Sequence, residues 1–261
     1  MNESEMSFDS SFIVHHSSFP CCPWPALPPP RGIQLTVMPE HPCSYLPGRV
    51  ARNRAFLAER MPAELYHQLM NAGFRRSGTF LYQPICSGCR ACEPIRVPVA
   101  TFVPSKSQRR VWRKNQDLQV TVGLAEPTEE KFELYCGYIR ERHNPERDED
   151  RESFLEFLYH SPVETIEFTY RRSGDHKLIG VGLCDICAQS LSSVYFYFDP
   201  SESKRRGLGT FSSLQEIAWA REKNIPHYYL GYFVRGCAGM NYKANFAPNE
   251  LLHPDGVWRA T

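Results

Sequence analysis

The chain has 261 residues, of which 42% are hydrophobic, enough for one large or two modest domains around a sizeable core, so a disordered protein is excluded. Thirty Lys and Arg stand against 29 Asp and Glu, a formal charge of +1, so a nucleic-acid partner must be met by a local patch. No window reaches the roughly 18 consecutive apolar residues of a membrane span and no secretory leader is visible, so a soluble, cytoplasmic protein without a membrane partner is expected. In that setting the ten cysteines read as reduced core thiols and a metal or cluster site.

Residues 1–37, with Pro20-Cys21-Cys22-Pro23-Trp24-Pro25 and Pro28-Pro29-Pro30, show little periodicity and read as a disordered extension, with Met38 as an alternative start. Residues 38–125 are expected to form an N-terminal cysteine-containing domain. Within it Pro62 to Asn71 predicts a short amphipathic helix with Leu65, Leu69 and Met70 on one face. Phe80-Leu81-Tyr82 reads as a strand, and Ile95 to Val99 as a second, placed at an edge by its proline. Between them lies Cys86-Ser87-Gly88-Cys89-Arg90-Ala91-Cys92, three thiols at spacings of three, with Cys43 available as a fourth. Such a set suits tetrahedral zinc or an iron–sulfur cluster, and spacing does not choose between them.

From Ser105 a helix is predicted. Lys106, Arg109, Arg110, Arg113 and Lys114 would then share one face with no acid among them, a cationic stripe able to follow a phosphate backbone, with RNA rather than DNA the expected partner. Leu118 to Val122 alternates like a strand, and residues 126–142 and 151–159 read as helices. The mixed-charge stretch Glu141 to Glu152 reads as an exposed linker.

Residues 126–261 change character. Thr165 to Arg171, Lys177 to Cys187 and Ser192 to Asp199 predict a three-stranded meander. The glycine loop Lys204-Arg205-Arg206-Gly207-Leu208-Gly209, a helix from Thr210 to about Lys223 and a strand from His227 to Phe233 follow. This order is that of a GNAT-like acyl-N-acyltransferase core, an α/β (α+β) layer arrangement. Arg205, Arg206, Gly207 and Gly209 could hold a phosphate at the helix start. Tyr195, Tyr197 and Asp199 point to one side of their strand, and Tyr197 and Asp199 are the candidates for catalytic groups. Cys184 and Cys187, at an odd offset on a strand, read as core filler on opposite faces.

Leu230 to Pro248 is neither a clean strand nor a clean helix, the mark of a segment shaped for a site. This segment, the Cys86 to Val99 run and Phe102-Val103-Pro104-Ser105-Lys106-Ser107-Gln108-Arg109-Arg110 together resemble the arginyl-tRNA–protein transferase family, and within it the bacterial aspartate/glutamate leucyltransferases. The resemblance runs from about Cys43 to Leu251; one departure is Gly239, where the family pattern has a lysine before Met240-Asn241-Tyr242-Lys243.

The resemblance implies a GNAT-like fold and an N-degron enzyme that moves leucine from leucyl-tRNA to a protein beginning with Asp or Glu, marking it for degradation. Arginine as the donor is the alternative, since no residue's chemistry reads the donor side chain. The cysteines resemble those linked to an iron–sulfur cluster in eukaryotic relatives, although those relatives place them differently. An acidic acceptor needs a cationic pocket, for which Lys243, Arg235 and Arg96 are candidates. Aminoacyl transfer itself requires no cofactor: the ester is already activated and an α-amine has a pKa of about 7.7–8.0. A non-catalytic, metal-stabilised RNA-binding module would share the cysteines and the stripe, and an acyl-CoA N-acetyltransferase would share the glycine loop.

Overall fold

A computed structural model describes residues 33–142 and 149–261. The proline-rich run and the centre of the mixed-charge stretch therefore lie outside the described residues. In chain order the N-terminal half forms β1 (Thr36–Val37), β2 (His41–Pro42), β3 (Val50–Ala51), β4 (Asn53–Leu57), α1 (Ala63–Asn71), β5 (Arg75–Ser77), β6 (Phe80–Pro84), β7 (Cys92–Pro98), α2 (Lys106–Lys114) and β8 (Leu118–Leu124). It continues with α3 (Glu129–Arg142), α4 (Arg151–Phe154, running into a π turn at Leu155–Tyr159), β9 (Thr165–Arg172), β10 (Leu178–Cys187), β11 (Ser190–Phe198), α5 (Pro200–Arg206) and α6 (Leu208–Glu222). The chain ends with β12 (His227–Val234), α7 (Ala238–Asn241), a 3-10 turn at Tyr242–Asn245, β13 (Glu250–Leu252) and β14 (Trp258–Ala260).

An eight-stranded sheet in the order β14-β13-β7-β12-β11-β10-β9-β8 carries the molecule. β8 to β11 form an antiparallel meander that contains the three strands expected from the sequence. The chain then crosses through α5 and α6, and β12 returns parallel to β11. A parallel neighbour requires a crossover of this length, which is why helix and glycine junction fall here.

β7 is not the edge strand that Pro98 suggested: it lies between β12 and β13. On β7, β13 pairs only with Ile95 and Arg96, between Pro94 and Pro98, so neither missing N–H falls within that short ladder. Likewise Thr36–Val37 pairs with β4, and Ile33 and Leu35 pack against the neighbouring core, although so short an edge pairing leaves no periodicity to read. A second sheet, β1-β4-β6-β5, carries the N-terminal half, and β2 pairs with β3.

The two faces of the large sheet are covered by different helices. α6 buries Leu208, Phe211, Leu214 and Ile217, one apolar stripe at helical spacing, against Phe168, Tyr170 and Leu191. On the other face Tyr135 and Ile139 of α3 and Phe154 of α4 pack on Val181, Leu183 and Tyr197. Cys184 belongs to the α6 side, and Cys187 packs with Tyr66, Leu69 and Met70 of α1. The opposite orientation expected for this C-x-x-C pair is therefore what the strand delivers. Arg76 reaches from β5 into the large sheet and grips both oxygens of Asp185 at 2.6 Å, with both side chains essentially unexposed. Tyr66 and Thr165 donate to the same carboxylate at 2.8 Å.

Candidate active site

β11 and β12 run side by side only over Ser190–Ser192 and His227–Tyr229, and beyond Tyr229 no pairing joins them. β12 instead makes a bulge against β7 between Tyr229 and Gly231, where Gly231 takes a φ of +87° that favours glycine. After Val234 the chain turns back on itself through α7 and the 3-10 turn. This return is held by the buried Asn249, which donates to the carbonyls of Ala244 (3.1 Å) and Phe246 (3.3 Å). Gln108 of α2 donates to the carbonyl of Asn245 at 3.0 Å.

Lys243 lies inside this return, buried, with its Nζ donating to the carbonyl of Tyr232 at 2.9 Å. Burial, reinforced by the neighbouring Arg75, lowers its pKa to about 7. The other two acceptor candidates sit differently. Arg96 is already engaged by Glu250 (2.7 Å), Asn71 (2.9 Å) and Tyr229 (3.1 Å), and its guanidinium lies 4.3 Å from the Trp258 ring. Arg235 is exposed, 5.6 Å from the Phe233 ring.

α2 starts at Ser105 because a capping box closes there: the Ser105 hydroxyl accepts from the Gln108 N–H, and the Gln108 side chain returns to the Ser105 N–H. Gln108, Val111 and Trp112 face the core, with Trp112 5.7 Å from Phe211. Lys106, Arg109, Arg110, Arg113 and Lys114 are all exposed, and none forms an ion pair with a described acid. Beside this stripe lies the junction of α5 and α6. The glycine loop does not follow β11 directly, because α5 intervenes and Gly207 both ends α5 and starts α6 in a left-handed conformation. A Cβ there would meet Val111 at 3.3 Å, whereas one on Gly209 would meet nothing within 4 Å. Arg205 is exposed, but the guanidinium of Arg206 is buried and held by Asp117 (2.6 Å) and Glu202 (2.7 Å).

Tyr197 is fully buried between β11 and α3, with its hydroxyl 3.2 Å from that of Tyr159 and its pKa pushed well up by burial. Asp199 caps α5 by accepting from the Ser201 N–H at 2.9 Å and pairs with Lys177 at 2.6 Å. Burial acts to raise its pKa, but these partners outweigh it and hold the carboxyl below its ordinary value. Both residues are thus committed to neighbours in the fold.

Cys43, Cys86, Cys89 and Cys92 come together around one cavity of about 310 Å³, which Tyr45, Tyr82 and Tyr232 also line. The Cys92 thiol is pushed up to about 12 by burial and then by the surrounding thiols, those of Cys86 and Cys43 foremost.

Two family models cover most of the chain, "Arginine-tRNA-protein transferase, N terminus" over residues 41–110 and "Arginine-tRNA-protein transferase, C terminus" over residues 130–253. This chain belongs to the arginine-tRNA-protein transferase family. Among its relatives, the aspartate/glutamate leucyltransferase of Saccharophagus degradans is 42% identical over 84% of this chain and 94% of its own length. The proteins of the same name from Hahella chejuensis and Marinobacter nauticus are 39% and 42% identical, over 86% and 88% of this chain and 96% of each relative.

Against that family background, Gly239 stands exposed in α7, and a side chain there would meet nothing within 4 Å. The four cysteines share a cavity, yet among the described residues no three His, Cys, Asp or Glu side chains are placed to hold a metal ion. As placed, they do not fit a zinc or iron–sulfur site. Sequence reasoning missed Arg75, a buried cation at the bulge beside Lys243. Its only signal was a second arginine next to Arg76 in a short strand, which reads equally well as a solvated edge.

Proposed function

We propose that this chain is an aminoacyltransferase of the N-degron pathway, moving leucine from leucyl-tRNA to the α-amino group of proteins that begin with Asp or Glu. The observation that carries this reading is the match, along nearly all of both chains, to relatives named aspartate/glutamate leucyltransferase. In the reaction the neutral α-amine attacks the ester carbonyl, a C–N bond forms, the C–O bond to the terminal ribose breaks, and a proton of the amine passes to the released hydroxyl. With an α-amine pKa of about 7.7–8.0, positioning supplies much of the acceleration and no covalent enzyme intermediate is required.

The fold supports the reading in three ways. The parallel pair β11 and β12 parts after three residues, with α6 packed on the same sheet, an arrangement that suits the GNAT-like core we propose. The exposed, acid-free stripe of α2, continued by Arg205, offers a tRNA backbone a run of cations. Lys243 offers an acidic acceptor a buried cation at the bulge. We assign tRNA contact to Lys106, Arg109, Arg110, Arg113, Lys114 and Arg205, with the Gly207–Gly209 turn at the helix start, and acceptor contact first to Lys243.

The finer proposal for the thiols, that Cys43, Cys86, Cys89 and Cys92 close on zinc or an iron–sulfur cluster, requires them to move from the positions they take. Metal analysis of anaerobically purified protein decides it, and no step of the transfer runs through a metal. No helix among the described residues is long and apolar enough to cross a membrane. A cytoplasmic place of action is part of the proposal and follows from its tRNA substrate.

The deciding experiment offers leucyl-tRNA, arginyl-tRNA and acetyl-CoA in parallel to a peptide beginning with Asp. Leucine transfer is the expected result. Arginine transfer would replace the donor, acetyl transfer the reaction class, and tRNA binding without any transfer would leave an RNA-binding module.

A further inference from the structure

Beside Gly231 two buried basic side chains lie close together, and no acid among the described residues pairs with either. Arg75 is 6% exposed and Lys243 7%. A Cβ built on Gly231 would lie 3.4 Å from Lys243 Nζ and 3.9 Å from Arg75 Nε. Gly231 itself is only half-buried. Arg75 spends its two terminal nitrogens on the carbonyls of Phe74 (2.8 Å) and Gly231 (3.1 Å). Its Nε is buried and has no hydrogen-bond partner. The rings of Tyr229 and Tyr232, 5.4 and 5.5 Å from the guanidinium, fix its position without satisfying that N–H.

Neither side chain is ion-paired with a described acid. Burial beside Arg75 makes the Lys243 proton costly to hold, and a carboxylate between the two donors would satisfy the open Nε and favour the charged form of Lys243.

We propose that Arg75 and Lys243 form the subsite for the side-chain carboxylate of the acceptor's first residue, Arg75 donating through Nε and Lys243 through Nζ. This rests on the acceptor chemistry proposed above and names the residues that select it. A carboxylate suits the space better than a tRNA phosphate. Both donors are buried beside Gly231, where a single carboxylate needs less room than a polynucleotide, and the cations free to follow a polynucleotide are the exposed ones of α2. Arg96 and Arg235 are less suited, the first already paired with Glu250 and the second on the surface.

The test compares the full-length chain with Arg75→Met, Lys243→Met and the charge-keeping Arg75→Lys. Each receives leucyl-tRNA and two peptides identical except for a first residue of Asp or Asn, and calorimetry without tRNA measures direct binding of the same peptides. The readout is the Asp-over-Asn ratio of kcat/KM within one protein preparation, which is independent of the fraction folded. Either Met variant should lower that ratio about ten- to hundredfold, mainly through KM, and Arg75→Lys should recover part of it. Leucyl-tRNA affinity should stay within about twofold. An unchanged ratio in both Met variants overturns the subsite, and a fall in leucyl-tRNA affinity at constant ratio assigns the pair to a phosphate instead. If the parent chain transfers no leucine at all, the transferase reading fails. The calorimetric Asp-over-Asn preference and its loss in the variants then still judge the subsite on their own.

Discussion

Arg76 and Asp185, 109 positions apart, meet through two parallel hydrogen bonds of 2.6 Å in a spot with almost no solvent exposure. The pair joins the β5 strand of the small sheet to the β10 strand of the large one. Its own burial is costly, but Tyr66 and Thr165 satisfy the remaining carboxylate lone pairs, so the network is complete. Removing one partner leaves the other charge stranded. Asp185→Ala should therefore lower unfolding free energy by about 3–5 kcal/mol in urea titration. A loss below about 1 kcal/mol would mean that the two sheets are held together by their apolar contacts alone.

The α2 stripe is expected to act through charge and not through shape. Arg109, Arg110 and Arg113 are exposed while Gln108 and Trp112 of the same helix pack inward, so replacing all three by Glu should leave the fold intact. Leucyl-tRNA binding should weaken, and its log–log salt slope should flatten by about 0.7–0.9 for each phosphate no longer neutralised. Binding titrations at several salt concentrations measure both. A variant with the parent slope would show that the stripe is a solvated face.

Lys243 makes stability depend on pH in a defined direction. Burial and then Arg75 lower its pKa from 10.5 to about 7, so between these values the unfolded chain holds a proton that the folded chain does not. Stability should therefore rise with pH from about 7 to 8. Above about 8 the trend is opposed, because the buried Cys92, Cys184 and Cys187 thiols keep protons that the unfolded chain begins to release as the pH nears the ordinary cysteine value of 9.0. His67 and His227, both lowered from 6.5 by burial, titrate below the window. Thermal melts across pH 7–8 should show the rise in the parent chain and lose it in Lys243→Met. An equal rise in the variant would place the responsible group elsewhere.

How much of this was legible in the chain follows from the range of each interaction. The α2 stripe could be read because its cap and its cations lie within ten consecutive residues, where helical offsets decide which side chains share a face. The gathering of Cys43 with the 86–92 thiols was also foreseen, yet their distances as ligands were not, since spacing says nothing about how β2, β3 and the cysteine loop face one another. Arg75 was invisible for a related reason. Its meaning comes from Gly231, 156 positions away, and only the β12 bulge brings the two together. β7 misled because Pro98 marks an edge unless the neighbouring ladder stops short of it, as that of β13 does at Arg96.

The α5–α6 junction separates two reasons for a glycine. Gly207 has a φ of +66°, and a Cβ there would press on Val111 at 3.3 Å. Gly207→Ala should cost about 1–2 kcal/mol through backbone strain alone, before any adjustment of α2. Gly209 lies within the first turn of α6 in ordinary helical conformation, and an added Cβ meets nothing within 4 Å. Gly209→Ala should therefore leave stability unchanged or raise it by up to about 1 kcal/mol, because alanine is the better helix former. If the helix start takes a tRNA phosphate against its backbone, the same substitution crowds the approach and should weaken leucyl-tRNA binding several-fold without destabilising the fold. Thermal melts and tRNA titrations on the two variants read the effects separately. A stable Gly209→Ala protein with parent tRNA affinity would remove the junction from the tRNA site and leave that role to α2.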